Sequence, residues 1–446
     1  MNKAGATEAV ARFAATTVLA DIPVVAREAA KLNILDTLGV SLAASRTEAA
    51  RALAGWVREE EGPPRASVIG HGFRTSAQLA ALVNGHAAHA LDLDEGFHWG
   101  TPTLPAALAA GEAAGCSGAR LLQALIVGRE ISARLDAAFD SARTGGRGPT
   151  FRGWHHTGTN GSLASAVAAG VMLGLDTRQM QWALGHAANM ACGLRANMGT
   201  HAKGIAAGNP ARNGVVAATL AQRNFTAEEA ILEVSEGFAM AFCLEGEATW
   251  EPLTKDLGRS FVDEGGPTAR IFASCGPSHR PVEAVLNLAR EHKLKADDVE
   301  AIECDPHSFA MRRHNPQDSP AAQYCLEYVL CAALLDGAMG ARQVMDERVR
   351  SADVQGLMKR LRFIPIDAPP HGTPKESLTL HLRDGRHVTT EIQHAKRINT
   401  QSEIEAKYFD CATLAIPREA AEKLRDAVLR LETAQGITSI MDIPRG

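Results

Sequence analysis

Residues 86–105 read His-Ala-Ala-His-Ala-Leu-Asp-Leu-Asp-Glu-Gly-Phe-His-Trp-Gly-Thr-Pro-Thr-Leu-Pro. Within thirteen residues stand His86, His89, Asp92, Asp94, Glu95 and His98. Imidazoles paired with carboxylates exchange protons near neutral pH, so the cluster suits general acid and base chemistry. Alanine-rich segments that read as buried helix flank it on both sides. Six ionisable groups are costly between apolar helices unless they line a cavity or pair with one another. A capped helix end with a polar turn accounts for any one of these residues; a site accounts for the whole cluster. His86 and His89, three apart on one helical face, would also suit a metal held together with Asp92 and Asp94.

The elements that must position this cluster are helical. Val25, Ala29, Leu32, Leu35 and Leu38 recur at helical spacing within 23–45. Further helices are expected at 6–19, 48–60, 76–91, from Pro105 to about 115, and at 119–140. A non-helical loop over 141–153 leads to Trp154-His155-His156, followed by helices at 161–174, 177–192, 211–223 and 227–233. Polar islands interrupt this region at 86–101, 153–161 and 197–213. A fourth, Arg270–Arg280, opens a stretch of different character after Gly265-Gly266-Pro267. There Val299–Cys304 alternates as a strand, and Asp384-Gly385 sits between two alternating runs as a hairpin turn. Residues 320–337 read as one helix, and helix returns at 402–413 and 416–433. The expected fold is mainly α with an inserted α+β domain: a helical domain from 1–265 and 399–446, and a smaller lid at 266–398. The islands are expected to converge in the cleft between them.

Composition narrows the function. Of 446 residues, 46% are hydrophobic and only 5% aromatic, with a net charge of −5. No basic run interleaved with aromatics favours nucleic acid, and no apolar stretch long enough to span a bilayer stands out. The eight cysteines form no CxxC pair, so they read as buried thiols of a cytoplasmic protein. No GxGxxG follows a strand, which argues against a dinucleotide fold.

His-Ala-Leu-Asp-Leu-Asp, His98 seven residues before Pro105, and Pro-Ala-Ala-Leu-Ala together resemble the 2-methylcitrate dehydratase (MmgE/PrpD) family. So do Gly153-Trp-His155 with Thr-Gly, Lys203 followed by Gly208-Asn-Pro-Ala-Arg-Asn-Gly, Leu-Asp-Gly at 335–337, and Lys407-Tyr-Phe. The resemblance runs in order along essentially the whole chain. It implies a cofactor-free, metal-free homodimer acting on a small dicarboxylate or tricarboxylate, by removing a proton next to a carboxylate. Its site positions fall on Asp92, His98, His155, Lys203, Tyr328 and, where the family has a lysine, Arg270. The family includes a dehydratase, a decarboxylase and an iminodisuccinate epimerase, and in length and detail the chain is most similar to the epimerase.

The expected activity is therefore cofactor-independent epimerisation at the α-carbon of an amino- or imino-dicarboxylate such as iminodisuccinate. A lyase of the same family, dehydratase or decarboxylase, is the alternative. Two departures speak against the lyase: the Asp92–His98 loop is shorter than in the decarboxylase, and Arg270 stays protonated, so it clamps a carboxylate but is a poor acid or base. Lys203, His98, His155 and Tyr328 are the candidate proton carriers, and Asp92, Arg270, His156 and His279 the candidate binding residues. Each has an ordinary reading beside the catalytic one. His155 or His156 caps a helix, Lys203 is a loop lysine, and Tyr328, among Leu326, Val329 and Leu330, is core.

Overall fold

Small side chains let the central helices approach closely, and the architecture follows from that. The computed structural model describes residues 5–139, 148–304, 313–365, 377–391 and 395–444, and the statements below concern those residues. Residues 141–147 of the expected 141–153 loop lie outside them. The first part of the chain runs through α1 (Ala6–Thr16), α2 (Val24–Ala44) and α3 (Glu48–Glu59) into a two-stranded antiparallel ribbon, β1 (Ala66–Val68) and β2 (Phe73–Thr75). Six helices follow: α4 (Ala77–His89), α5 (Gly100–Ala114), α6 (Gly118–Phe139), α7 (His156–Leu173), α8 (Thr177–Met190) and α9 (Ile205–Gln222). Helix α7 is buried from Thr157 to Met172 and packs against α5, α6, α8 and α9. Having no polar face to show solvent, it can only be a central helix.

The α4–α9 crossing decides where the site lies. A Cβ on Gly208 would stand 2.4 Å from the Leu82 carbonyl oxygen, and one on Gly85 would stand 2.8 Å from the Ala207 carbonyl oxygen. Glycine at both positions permits backbone contact. The residues just before α9, including Lys203, are thereby laid against the last turn of α4, which carries His89.

A second core is built around α10 (His279–Glu291), β3 (Val299–Cys304), α11 (Leu326–Asp336), β4 (Arg362–Pro365), β5 (Ser377–Leu382) and β6 (His387–Glu391). The sheet order is β4-β3-β5-β6, with β3 and β4 parallel and the other pairs antiparallel. Ile302 faces Leu380, and Leu378, Leu380 and Leu382 are buried, as their alternation requires. Gly385, at φ +86°, makes the hairpin turn. Helices α12 (Gln401–Ala412) and α13 (Arg418–Leu429) then return to pack on α2. Tyr408, Leu424 and Val428 share one core with Val10, Phe13 and Leu38, so both ends of the chain build the helical part. The fold is mainly α with a smaller α+β part. Among the described residues no helix is long and apolar enough to cross a membrane.

Three local expectations are corrected. Helix α5 starts at Gly100, five residues before Pro105, because the Glu95 carboxylate accepts the Gly100 N–H and caps its first turn. Residues 227–233 are not helical: 227–228 are irregular and 229–233 form turns. There Glu233 accepts the Thr7 backbone N–H (3.1 Å) and the Leu232 N–H donates to Thr7 Oγ1 (3.1 Å), so contacts with α1 replace helical bonds. The helix expected over 320–337 is broken at 323–325. The Gln323 carbonyl accepts from Cys275 N–H and that of Tyr324 from Arg313 N–H, each at 3.0 Å, which takes both from the helical ladder.

The loop from Ala90 to Trp99 joins the two cores. Leu91 and Leu93 are fully buried in the second core, and Asp92 and Asp94 alternate away from them. Buried ion pairs fix the loop from behind. Lys407 Nζ lies 2.7 Å from Asp36 and 2.5 Å from the Leu93 carbonyl oxygen. Arg129 bonds Glu95 and reaches Asp263 through Nε at 2.9 Å, and Asp263 also accepts from Asn33 at 3.1 Å.

Arg129→Met strands the Glu95 and Asp263 carboxylates in a buried setting. It is expected to lower stability by about 3–5 kcal/mol, read as a fall in the urea midpoint of the helical core. A loss below about 1 kcal/mol would show that the trio does not hold the loop.

Candidate active site

Asp92 is the most heavily engaged residue of the loop. Its Oδ1 lies 3.2 Å from Lys203 Nζ and 2.6 Å from Arg270 Nη1, and its Oδ2 accepts the Tyr324 hydroxyl at 3.0 Å. The same Arg270 nitrogen donates to the Asp92 carbonyl at 3.1 Å. Burial pushes the Asp92 carboxyl up, but Lys203 and Arg270 outweigh it and hold the group ionised, far below the usual carboxylate range. Asp92 (φ +50°) and His98 (φ +63°) both occupy the left-handed region. Such conformations cost about 1–3 kcal/mol each and gather at functional sites.

His98 is read through its partners. Its Nδ1 meets the buried Asp94 carboxylate, and its Nε2 lies 3.2 Å from Arg270 Nη2. A guanidinium only donates, so Nε2 accepts and the proton sits on Nδ1. Burial disfavours the imidazolium, Asp94 opposes that, and Arg270 adds to it; the net pKa is below the ordinary value. His98 is thus a neutral base oriented by a carboxylate. Asp94 also accepts from Thr101 Oγ1 at 2.5 Å.

Lys203 ends the 3-10 turn His201–Lys203 just before α9, fully buried, and donates to the His89 carbonyl at 2.8 Å. Burial pulls its pKa down, and Asp92 and Asp94 restore only part of that. The result is an ammonium that gives up its proton more readily than an exposed lysine.

Three further histidines complete the wall. His89 is buried; among the described residues neither ring nitrogen makes a hydrogen bond, its Nδ1 standing 3.5 Å from the Asp94 carboxylate, and burial pushes its pKa down to about 3. Its ring stands edge-on to His98, with centroids 4.6 Å apart. His155 occupies the N-cap position of α7 without a side-chain capping bond, and its backbone N–H donates to the Gly193 carbonyl at 3.0 Å. Its buried Nδ1 has no partner, and burial holds its pKa well below the usual range. His156 stacks on His155 at 5.4 Å.

These groups surround one cavity of about 190 Å³. His89, Asp92, His98, His155, His156, Lys203, Arg270 and Tyr324 all line it. Two expected residues lie elsewhere. Tyr328 is core: its hydroxyl donates to the Gln343 carbonyl, because it falls within α11 and faces the second core. The tyrosine at the cavity is Tyr324, at the helix break four residues earlier. His279 has its Nε2 bonded to the Ser274 carbonyl at 3.0 Å, with its ring against Phe272, and borders a neighbouring cavity. Arg195, two residues before the 197–213 island and not among the expected site residues, also lines the site.

His89, Asp92, Asp94 and His98 each present a ligating atom within 4.8 Å of the others. Two cations already engage Asp92, and Asp94 anchors His98, while both His89 ring nitrogens and Asp94 Oδ1 have no hydrogen bond among the described residues, so the protein's own side chains satisfy this set only in part. The arrangement offers two groups that exchange protons, His98 and Lys203, beside cations that bind carboxylates. That suits proton transfer at a carbon next to a carboxylate, where the developing charge meets fixed positive groups.

Residues 8–251 match the MmgE/PrpD N-terminal domain and residues 272–433 the MmgE/PrpD C-terminal domain. Cis-aconitate decarboxylase of Aspergillus terreus (strain NIH 2624 / FGSC A1156) is 26% identical over 477 residues, covering 99% of this chain and 96% of that protein. Cis-aconitate decarboxylase of Mus musculus is 27% identical over 439 residues, covering 93% of this chain and 88% of that protein. The Homo sapiens protein of that name is 26% identical over 443 residues, with 93% and 89% covered. These relatives carry decarboxylase names and lend no support to an epimerase.

In NMR spectra of the His98 ring, the imidazole is expected to titrate below its ordinary value of about 6.5. Asp94→Asn removes the anion that favours imidazolium, so the titration moves to still lower pH. A midpoint above about 6.5, or a rise in the variant, would overturn the neutral assignment.

Proposed function

The chain belongs to the MmgE/PrpD family, and on that premise we propose that it is a lyase releasing carbon dioxide from a small unsaturated tricarboxylate such as cis-aconitate. The observation that carries this reading is the pairing of Lys203 and Arg270 on one buried carboxylate, Asp92, at the cavity that the His98 ring also borders. The names and near full-length coverage of the relatives favour decarboxylation over the epimerisation suggested by the Asp92–His98 loop length and by Arg270.

In such a decarboxylation the C–CO₂ bond breaks and its electron pair moves through the neighbouring double bond. Negative charge then develops on a carbon beside a second carboxylate, and that carbon takes one proton. Arg270 and Arg195 hold the carboxylates, and the fixed cations favour the charged intermediate over the ground state. Lys203 delivers the proton, eased by its lowered pKa, and is reprotonated from solvent. His98, oriented by Asp94, accepts or relays a proton within the cavity. The chemistry calls on side chains alone.

Epimerisation of an imino-dicarboxylate remains the second reading, favoured by one observation. His98 and Lys203 reach the cavity from different elements, the loop after α4 and the turn before α9. An epimerase needs two proton carriers of this kind.

Incubation with cis-aconitate is expected to release carbon dioxide and to place one solvent proton on the product. His98→Asn and Lys203→Met should each lower kcat/KM by about 10²–10⁴-fold. Deuterium exchange with stereoisomer interconversion of iminodisuccinate, and no carbon dioxide from cis-aconitate, would replace this reading with the epimerase. Turnover of neither would refute both.

A further inference from the structure

Beside the catalytic cavity lies a second, larger one of about 700 Å³. Its walls include Gly96, Arg270, Gly276, His279, Arg280, Lys396 and Arg397. Arg270 and Gly276 border both cavities, so the two adjoin at Arg270. Four of the wall residues are Lys or Arg, and no carboxylate is among them.

The four cations are committed to different degrees. Arg270 is tied to Asp92, and Lys396 Nζ lies 2.8 Å from Glu403. Arg397 differs: among the described residues no carboxylate lies within 4 Å of it. Its guanidinium rests over the Phe97 ring, 5.2 Å from the centroid, and Phe97 in turn stacks on Trp99 at 4.6 Å. The Trp99 indole N–H is anchored on Asp136 at 2.9 Å. Gly96 leaves the strip free for it, since a Cβ there would stand 2.8 Å from Arg397 Nη1. An aromatic ladder thus holds an arginine with no acidic partner among the described residues, beside the cavity proposed to take a polycarboxylate.

We propose that this second cavity is an anion-binding antechamber whose Arg397 holds the outer carboxylate of a polycarboxylate while its inner end occupies the catalytic cavity. The proposal rests on the reading of the site as one for polycarboxylates, and it adds a residue that selects three carboxylates over one. Burial and the like charge of Arg270 both lower the Arg397 pKa, as they would where repelling cations await an anion. Concentrated positive charge at the entrance also draws anions in from solution, an effect that salt screens.

Equilibrium binding of inert acids to the full chain, by calorimetry, tests the antechamber without requiring turnover. Tricarballylate is the three-carboxylate probe and propionate the one-carboxylate probe. Arg397→Gln is expected to weaken tricarballylate about tenfold and propionate less than twofold, and to flatten the salt dependence of tricarballylate binding. Arg397→Lys should recover part of the loss. Arg223→Gln is a charge-matched control at the far end of α9, roughly 27 Å along that helix from the site; it should leave both affinities unchanged. Equal weakening of both acids, or none, overturns the antechamber. A selective loss of tricarballylate, with no polycarboxylate turned over by the unaltered protein, keeps the antechamber and refutes the lyase.

Discussion

A carboxylate removed from water must be paid for by positive charge, and Asp92 is where the structure meets that demand. Lys203 and Arg270 approach one of its oxygens and Tyr324 the other. These three residues come from the turn before α9, the start of the second core and a break before α11. One buried anion therefore fixes the relative positions of three distant segments. Removing any partner leaves the others with uncompensated charge or an unsatisfied donor, a more costly state than the intact set.

The same constraint shapes the loop around it. Leu91 and Leu93 enter the second core while Asp92 and Asp94 point the other way, so packing aims the acids. Lys407 and Arg129 then hold the loop through Leu93 and Glu95. The left-handed conformations of Asp92 and His98 persist because the surroundings over-determine them. Positioning of this kind lowers reorganisation cost during reaction, since the charges already stand where they are needed.

Much of this was legible in the chain. The density of His, Asp and Glu in 86–98 marked the site because nothing apolar explains it, and the Asp-Gly hairpin and strand alternation marked the second core. Lys203 was legible only through its family motif, since its burial arises from the α4–α9 contact through Gly85 and Gly208. Tyr324 was not legible. Tyr324 and Tyr328, two of only three tyrosines, lie one helical turn apart in an apolar run, and long-range bonds to the Gln323 and Tyr324 carbonyls decide which faces the site. His279 borders the neighbouring cavity instead of the catalytic one, because its Nε2 is bonded to the Ser274 carbonyl through a turn that the sequence does not announce.

Segments far apart in sequence bring a neutral imidazole, a lysine and an arginine to one cavity, where the proposed substrate is a small acid. A crystal structure with tricarballylate bound tests it most directly. Carboxylate oxygens are expected within hydrogen-bond distance of Arg270, with His98 Nε2 and Lys203 Nζ both facing the ligand's carbon chain and Asp92 still joined to Lys203. A ligand bound elsewhere, or one that His98 and Lys203 do not both reach, would contradict it.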